Sequence, residues 1–307
     1  MTEGERGMPA VLQQVSEAFT SLVETVGQSV VRLAARRRLP ATGIVWSADG
    51  VLVTAHHVIE EEEAIQVGLP NGSTVGATLV GRDPTTDLAV VRIQTTGLTP
   101  PSWGEPAVPH LRVGSLVVAL GRPFHGVQAA LGMVSAHGGA WRTPAGGHME
   151  WYVQPDLVMY PGFSGGPLVD VAGQVVGVNT TALLRGVTLT IPLPTIRRVV
   201  DMLLAHGRVR RGYLGVHTQA VRLPATVAEQ LGQETGLLIS TVEPESPAER
   251  GGLLLGDTAV TLDGVPLRQH DDLLAVLGPE RIGTTVALRV MRGGQMQELR
   301  LTIGERP

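Results

Sequence analysis

The chain has 307 residues, a length that suggests two domains. Of these residues 43% are hydrophobic and 17% are charged, a composition that supports a buried core and excludes a mainly disordered protein. Its formal net charge of −4 does not favour nucleic acid as a partner, because no basic excess is available to neutralise phosphates. The absence of cysteine excludes disulfides, thiolate metal sites and cysteine nucleophiles.

Residues 1–28 are predicted to be an N-terminal helical segment. Apolar residues recur at spacings of three and four from residue 8 onward, which is typical of one face of an amphipathic helix. This stripe can dock on the chain's own domain or form a subunit contact. It consists of Val11, Val15, Phe19, Leu22 and Val26.

The N-terminal residues show no basic-then-apolar export signal, and no apolar run in the chain reaches the length of a transmembrane segment. These two observations predict a cytoplasmic protein. If the recorded N-terminus is truncated, the expectation becomes an extracytoplasmic protein.

Residues 29–205 are predicted to form one mostly β domain. Short β-rich runs are separated by turn signals such as Asp49-Gly50 and Asn71-Gly72. Six runs between residues 29 and 93 and six more between 115 and 193 favour two small antiparallel barrels in series, closed by a helix over residues 194–205.

The polar, basic stretch 206–211 is predicted to be a linker, and residues 212–305 a separate α+β domain. A strand over 237–242 leads to a short helix after Ser246, where Ser-Pro supplies an N-cap and a first-turn proline. A strand over 259–262, a helix over 271–277 and a final hairpin complete this domain.

Ser164 lies in the run Gly-Phe-Ser-Gly-Gly-Pro-Leu over residues 162–168. The glycines permit a sharp backbone turn that lets the N–H groups of Gly162 and Ser164 point at one spot, as an oxyanion formed during acyl transfer requires. A plain Gly/Ser-rich turn between strands is the alternative.

Two upstream residues have the right types to activate such a serine. An alcohol needs a positioned base, and the base needs an orienting group. His57 follows an apolar strand, and Asp87 immediately precedes another one. The order His, Asp, Ser differs from the order Ser, acid, His of α/β-hydrolases, and a β-rich run rather than a helix follows Ser164.

Several motifs occur together along the chain: SADGVLVTAHHVI, RDPTTDLAVVRI, VGSLVVALGRPF, GMVSA, PGFSGGPLVD and GQVVGVNT, followed by a tail that begins RRGYLGV. In sequence and order they resemble the HtrA/Deg family of trypsin-like serine proteases, over about residues 29–305. The resemblance implies a chymotrypsin-like double β-barrel followed by a circularly permuted PDZ domain. It also implies a homotrimer built through the protease domains.

The resemblance assigns roles to particular residues. His57 becomes the general base, Asp87 its orienting partner and Ser164 the nucleophile, with the N–H groups of Gly162 and Ser164 as the oxyanion hole. The implied function is a serine endopeptidase that degrades unfolded or damaged proteins in stress and protein quality control. No metal or organic cofactor is expected.

Two residues depart from the family pattern. His56 stands directly before the predicted base, where the family has a small residue, and Phe163 stands where the family usually has Asn. Because Phe163 lies inside the oxyanion loop, it keeps open an alternative function, a catalytically impaired chaperone or peptide-binding scaffold. A metal site formed by the two histidines with Glu60 and Glu61 is disfavoured, because adjacent histidines point to different faces.

The predicted specificity pocket has apolar walls, formed by Val158, Thr188 and Ile191, which favours aliphatic substrate side chains. In the predicted PDZ domain, the expected partners are apolar peptide C-termini, whose carboxylate the backbone N–H groups of one loop would bind. The residues assigned to this site are Tyr213, Leu214, Gly215, Val216 and Leu274.

Overall fold

The computed structural model describes residues 3–37, 39–104 and 111–305. The chain divides into two compact units, Met1–Val209 and Arg210–Pro307, and the division falls inside the stretch predicted as a linker. Residues 1 and 2 of the predicted N-terminal segment lie outside the described residues, as do residues 38 and 105–110 of the predicted protease domain. Among the described helices, none combines the length and apolarity needed to span a bilayer.

The first unit contains two closed six-stranded barrels in its described residues, as the sequence predicts. The first barrel has the strand order β1-β2-β3-β6-β5-β4, with antiparallel pairing throughout. Its strands are β1 (Val30–Ala34), β2 (Ala41–Val45), β3 (Val51–Ala55), β4 (Gln66–Gly68), β5 (Thr74–Asp83) and β6 (Leu88–Ile93).

The second barrel has the strand order β11-β14-β13-β12-β7-β8, and a separate hairpin, β9–β10, projects between β8 and β11. The sequence pattern did not predict this hairpin, because each of its strands has only two residues. The strands are β7 (Leu116–Gly121), β8 (Gln128–Gly138), β9 (Trp141–Arg142), β10 (His148–Met149), β11 (Tyr152–Asp156), β12 (Pro167–Asp170), β13 (Val175–Leu184) and β14 (Val187–Pro192).

Strands β2 and β3 are buried along their whole length, which explains their near-continuous apolar sequence. One face fills the first barrel with residues such as Leu52, and the other face carries Ile44 and Val53 into a second core shared with Val178 of the other barrel. A strand buried on both faces loses the apolar-polar alternation of a half-exposed one.

Two helices flank these barrels. Helix α1 (Glu3–Gly27) packs through Phe19, Leu22 and Val23 of its C-terminal half on apolar residues of the second barrel, whereas Val11, Leu12 and Val15 are exposed. Helix α2 (Leu193–His206) covers the core between the barrels. It ends at Gly207, whose φ of 70° allows its N–H to cap the Leu203 carbonyl.

The second unit is built around a sheet with the strand path β16-β17-β18-β20-β21 and one core of its own. Ser246 caps helix α4 as predicted, by accepting a hydrogen bond from the Glu249 N–H. Helix α3 was not predicted, because it has only seven residues, none of them buried, and so shows no clear periodic pattern. The elements are β15 (Gly212–Tyr213), β16 (Val216–Arg222), α3 (Ala225–Leu231), β17 (Thr235–Val242), α4 (Pro247–Arg250), β18 (Thr258–Leu262), β19 (Val265–Pro266), α5 (His270–Val276), β20 (Thr285–Arg292), β21 (Gln295–Thr302) and β22 (Gly304–Glu305).

Phe163 is fully buried in the core of the second barrel, where its ring meets Tyr160 edge-on at 5.5 Å between centroids. Gly121, at the end of β7, provides the space for this ring, since a Cβ built on it would lie 2.8 Å from two ring carbons. The departure from the family pattern at position 163 is therefore accommodated by packing.

We expect Gly121→Ala to lower the free energy of unfolding of the first unit by about 1–3 kcal/mol, the usual cost of overpacking a core. Urea unfolding followed by tryptophan fluorescence measures this, because Trp46, Trp103, Trp141 and Trp151 all lie in that unit. Gly126→Ala is the matched control, since a Cβ there meets open space. Equal unfolding curves for the two variants would contradict the packing argument.

Candidate active site

His57 lies in a short 3₁₀ helix, His56–Val58, that follows β3 directly. Its backbone N–H donates to Asp87 Oδ1 at 2.9 Å, and its Nδ1 lies 2.8 Å from Asp87 Oδ2. The imidazole is 29% exposed, whereas the carboxylate is 3% exposed. A buried carboxylate therefore holds a partly accessible histidine from two directions.

The proton position on His57 follows from this geometry. An ionised carboxylate can only accept hydrogen bonds, so we assign the proton to Nδ1 and the lone pair to Nε2. This tautomer leaves Nε2 able to take a proton from a neighbouring group.

Asp87 sits in a tight turn between β5 and β6, with a left-handed φ of 57°. The turn is fixed by the buried Asp83, which accepts hydrogen bonds from the Thr85 N–H at 3.1 Å and the Thr86 hydroxyl at 2.7 Å. Asp is one of the residue types that tolerate this backbone region best. The turn thereby directs the carboxylate toward His57.

Thr180 is a further partner of this carboxylate, because its hydroxyl donates to Asp87 Oδ2. It lies on β13 of the second barrel and is fully buried. Sequence reasoning missed it, although a polar residue inside the apolar run after residue 175 was an available signal. Asp87 therefore accepts hydrogen bonds from both barrels.

Ser164 is 8% exposed and lies two residues after Gly162, whose φ is 91°. Its Oγ lies 3.4 Å from Thr181 Oγ1. In the described part of the chain, no hydrogen bond joins Ser164 to His57. Across those same residues, neither the Gly162 N–H nor the Ser164 N–H donates a hydrogen bond, so both donors remain available to a ligand.

His56 has a different environment from its neighbour. Its backbone N–H donates to the Asp87 carbonyl at 3.0 Å, and its buried Nδ1 has no hydrogen-bond partner among the described residues. Burial lowers the pKa of His56, against the opposing effect of the nearby Asp87 carboxylate. Within the described ranges, no group of three or more His, Asp or Glu side chains is placed to hold a metal ion.

The residues predicted as specificity-pocket walls have unequal environments. Val158 is 60% exposed, and Thr188 on β14 is half-buried. Ile191 is buried in the core between the barrels and is not an accessible wall in this structure. The pocket assignment stays a prediction.

In the second unit, Tyr213–Val216 forms the turn between β15 and β16. Leu214 is buried in the core, and Gly215 has a φ of 79° with no room for a Cβ, which would lie 2.9 Å from Tyr213 Oη. Within the described chain, the N–H groups of Leu214 and Gly215 donate no hydrogen bond. The Tyr213 hydroxyl itself donates to Glu243.

Strand β16 lies at the edge of its sheet, with β17 on one side and helix α5 near the other. Thr218 Oγ1 on β16 lies 2.9 Å from His270 Nδ1 at the start of α5. Leu273 and Leu277 belong to the core, whereas Leu274 is half-buried. Among the described residues, a strand that pairs on one side only, a nearby helix and a turn whose Leu214 and Gly215 N–H groups donate no hydrogen bond together suit an extended peptide ligand.

Comparison with known proteins identifies both units. A trypsin-like peptidase domain model matches residues 41–178, and a PDZ domain model matches residues 212–303. The solved structure described as the HtrA-type protease AlgW with decapeptide is 30% identical, with a TM-score of 0.77 over 94% of this chain and 99% of its own.

Two curated relatives named "Probable periplasmic serine endoprotease DegP-like" also match. The protein of Ectopseudomonas mendocina is 35% identical over 87% of this chain and 56% of its own length. The protein of Chlamydia muridarum is 36% identical over 89% of this chain and 55% of its own length. The chain thus spans about half the length of these relatives.

The cytoplasmic location predicted from the sequence is wrong. The relatives are named as periplasmic proteins, which points to a location outside the cytoplasm. The prediction depended on finding no export signal at the start of the given sequence, an observation that does not decide the compartment.

We expect the wild-type first unit to lose more stability between pH 7.5 and 5.5 than the variant His56→Ala. Because the folded pKa of His56 is lowered, the unfolded chain binds the proton first as the pH falls through its ordinary value of about 6.5. Urea unfolding at several pH values, with exposed His137→Ala as control, measures the difference. Parallel stability-pH curves for wild type and His56→Ala would contradict it.

Proposed function

Because this chain belongs to the HtrA family of serine proteases, we propose that it is a serine endopeptidase that cleaves unfolded or damaged proteins. The observation that carries the proposal is the pair of hydrogen bonds from His57 to Asp87, which leaves Nε2 with its lone pair. The trypsin-like domain model covers both residues and Ser164.

In the proposed mechanism, His57 Nε2 takes the proton of Ser164 Oγ as this oxygen attacks the scissile carbonyl carbon. The carbonyl oxygen becomes an oxyanion that accepts hydrogen bonds from the Gly162 and Ser164 N–H groups. The imidazolium then gives its proton to the leaving amine, and the acyl–enzyme forms. Water, deprotonated by the same histidine, releases the new C-terminus and restores Ser164.

The buried carboxylate of Asp87 supports this cycle electrostatically. It stabilises the imidazolium that forms when Nε2 is protonated, and it keeps the ring oriented through Nδ1. Thr180 contributes a hydrogen bond to the same carboxylate and thereby helps to fix its position. The proposal also requires the Ser164 side chain to turn from Thr181 toward His57 when substrate binds, since catalytic hydrogen bonds often form only in the complex.

Cleavage of unfolded casein tests the proposal. Wild type should cut casein, and Ser164→Ala should lose activity by roughly 10⁶-fold, because it removes the attacking oxygen. Ser135→Ala, which alters an exposed serine on β8, is the matched control and should remain active. If folded wild type cuts no casein under any condition, the endopeptidase proposal fails, and the alternative hypothesis of a catalytically impaired chaperone or peptide-binding scaffold is favoured.

We further propose that the PDZ domain binds apolar peptide C-termini. The N–H groups of the Tyr213–Val216 turn would bind the terminal carboxylate, the peptide would add as a strand along β16, and Leu274 would contact its last side chain. Among the described residues, the Leu214 and Gly215 N–H groups of this turn donate no hydrogen bond, which supports the proposal, and the related AlgW structure is described with a decapeptide. From the family resemblance we also propose that this chain forms a homotrimer through its protease domains.

Leu274→Gln should weaken binding of a peptide that ends in apolar residues by about tenfold, which corresponds to about 1.4 kcal/mol of lost apolar contact. Fluorescence anisotropy of a labelled peptide measures the dissociation constant. Leu255→Gln makes the same chemical change at an exposed leucine of the same unit and should bind like wild type. Equal affinities for Leu274→Gln and Leu255→Gln would remove Leu274 from the binding site.

A further inference from the structure

Thr42, on strand β2 of the first barrel, is fully buried against the loop that carries Ser164. Its hydroxyl donates to the Gly162 carbonyl at 2.7 Å and accepts from the Arg122 N–H at 2.8 Å. Its backbone N–H lies 3.3 Å from the Ser164 carbonyl, to which it donates. A single residue of the first barrel thus binds the carbonyl groups of both residues whose N–H groups would form the oxyanion hole.

The other peptide groups of this loop are also fixed. The Phe163 N–H donates to the Tyr160 carbonyl at 3.1 Å, and the Phe163 carbonyl accepts from the Gly166 N–H at 2.9 Å. The Gly165 N–H donates to the Asn179 carbonyl at 2.9 Å. The bond from the Thr42 hydroxyl is therefore the contact that fixes the carbonyl side of the peptide between Gly162 and Phe163.

Thr42 is also joined to β3, the strand that leads into the base. Its carbonyl accepts from the Thr54 hydroxyl at 2.7 Å, and Thr54 lies on β3 three residues before His57. The buried Arg122 extends the network toward α1, because its guanidinium donates to the carbonyls of Gly27 and Val30. Thr42 therefore holds the oxyanion loop in a fixed relation to β3, which leads directly into the 3₁₀ helix of His57.

We propose that Thr42 is a positioning residue that keeps the oxyanion hole open, an inference that rests on the proposed peptidase function. Without its hydroxyl, the Gly162 carbonyl and the Arg122 N–H become buried and unpaired, and either group gains by turning toward another partner. Because Gly162 has no Cβ, its backbone dihedrals can change at little steric cost. When the φ of Gly162 changes along with its ψ, the Gly162 N–H, which belongs to the preceding peptide, moves away from the position of the oxyanion.

Thr42→Val tests this role, because it keeps the shape of the side chain and removes the hydroxyl. We expect kcat for a peptide ester to fall about 10²-fold with KM unchanged, the scale expected when a catalytic group is misplaced by about 1 Å. A peptide boronate, whose tetrahedral adduct carries an oxyanion, should bind about 10²-fold more weakly, while a product peptide of the same sequence should bind equally well. Thr42→Ser keeps the hydroxyl and should restore both values to within a few-fold of wild type.

The variant Thr195→Val distinguishes a positioning role from a purely structural one. It removes another buried hydroxyl of the same unit, which donates a hydrogen bond to Glu150. This variant should lose stability in urea but keep kcat and boronate affinity. The inference is overturned if wild type cleaves the ester and Thr42→Val matches it in kcat, or if Thr42→Ser fails as badly as Thr42→Val. If wild type itself is inert while folded, the proposed function fails first, which is a different result.

Discussion

The geometry of the candidate site depends on the hydrogen bonds that one buried carboxylate, that of Asp87, accepts. Asp87 accepts from the His57 backbone, the His57 ring and the Thr180 hydroxyl. Burying a carboxylate is costly unless hydrogen bonds replace its hydration, and these three donors supply such bonds. Since Thr180 comes from the second barrel, the same group that orients the imidazole also ties the two barrels together at the site.

The apolar core between the barrels makes this arrangement rigid. Ile44 and Val53 of the first barrel pack with Val178 of the second, and helix α2 covers the cluster. His57 and Asp87 extend from the first barrel, whereas Ser164 and Thr180 belong to the second. A site assembled from two closed barrels depends on their relative position, and a close-packed interior resists changes in that position.

The sequence predicts the parts of this molecule whose signals are local. Short β-rich runs and turn pairs predict the strands, and an apolar strand followed by histidine places His57 at a strand end. The roles of Thr42 and Thr180 were not predicted, because each side chain binds a residue about a hundred positions away and no local pattern shows such a contact. The hairpin β9–β10 and helix α3 were missed for a different reason, since strands of two residues and a helix of seven are too short to show a periodic pattern.

Phe163 shows how packing can change the meaning of a sequence difference. From the sequence, a phenyl ring inside the oxyanion loop was the main reason to consider a catalytically impaired protein. In the structure the ring points away from the loop and packs in the core beside Gly121. The N–H and the carbonyl of Phe163 both form hydrogen bonds, with Tyr160 and Gly166 respectively. The ring therefore does not occupy the space that an oxyanion needs. Its apolar contacts in the core stabilise the position of the loop. Among the described residues the Ser164 hydroxyl contacts Thr181 and not His57, so the proposed catalysis depends on rotation of this side chain, which a staggered side-chain torsion allows.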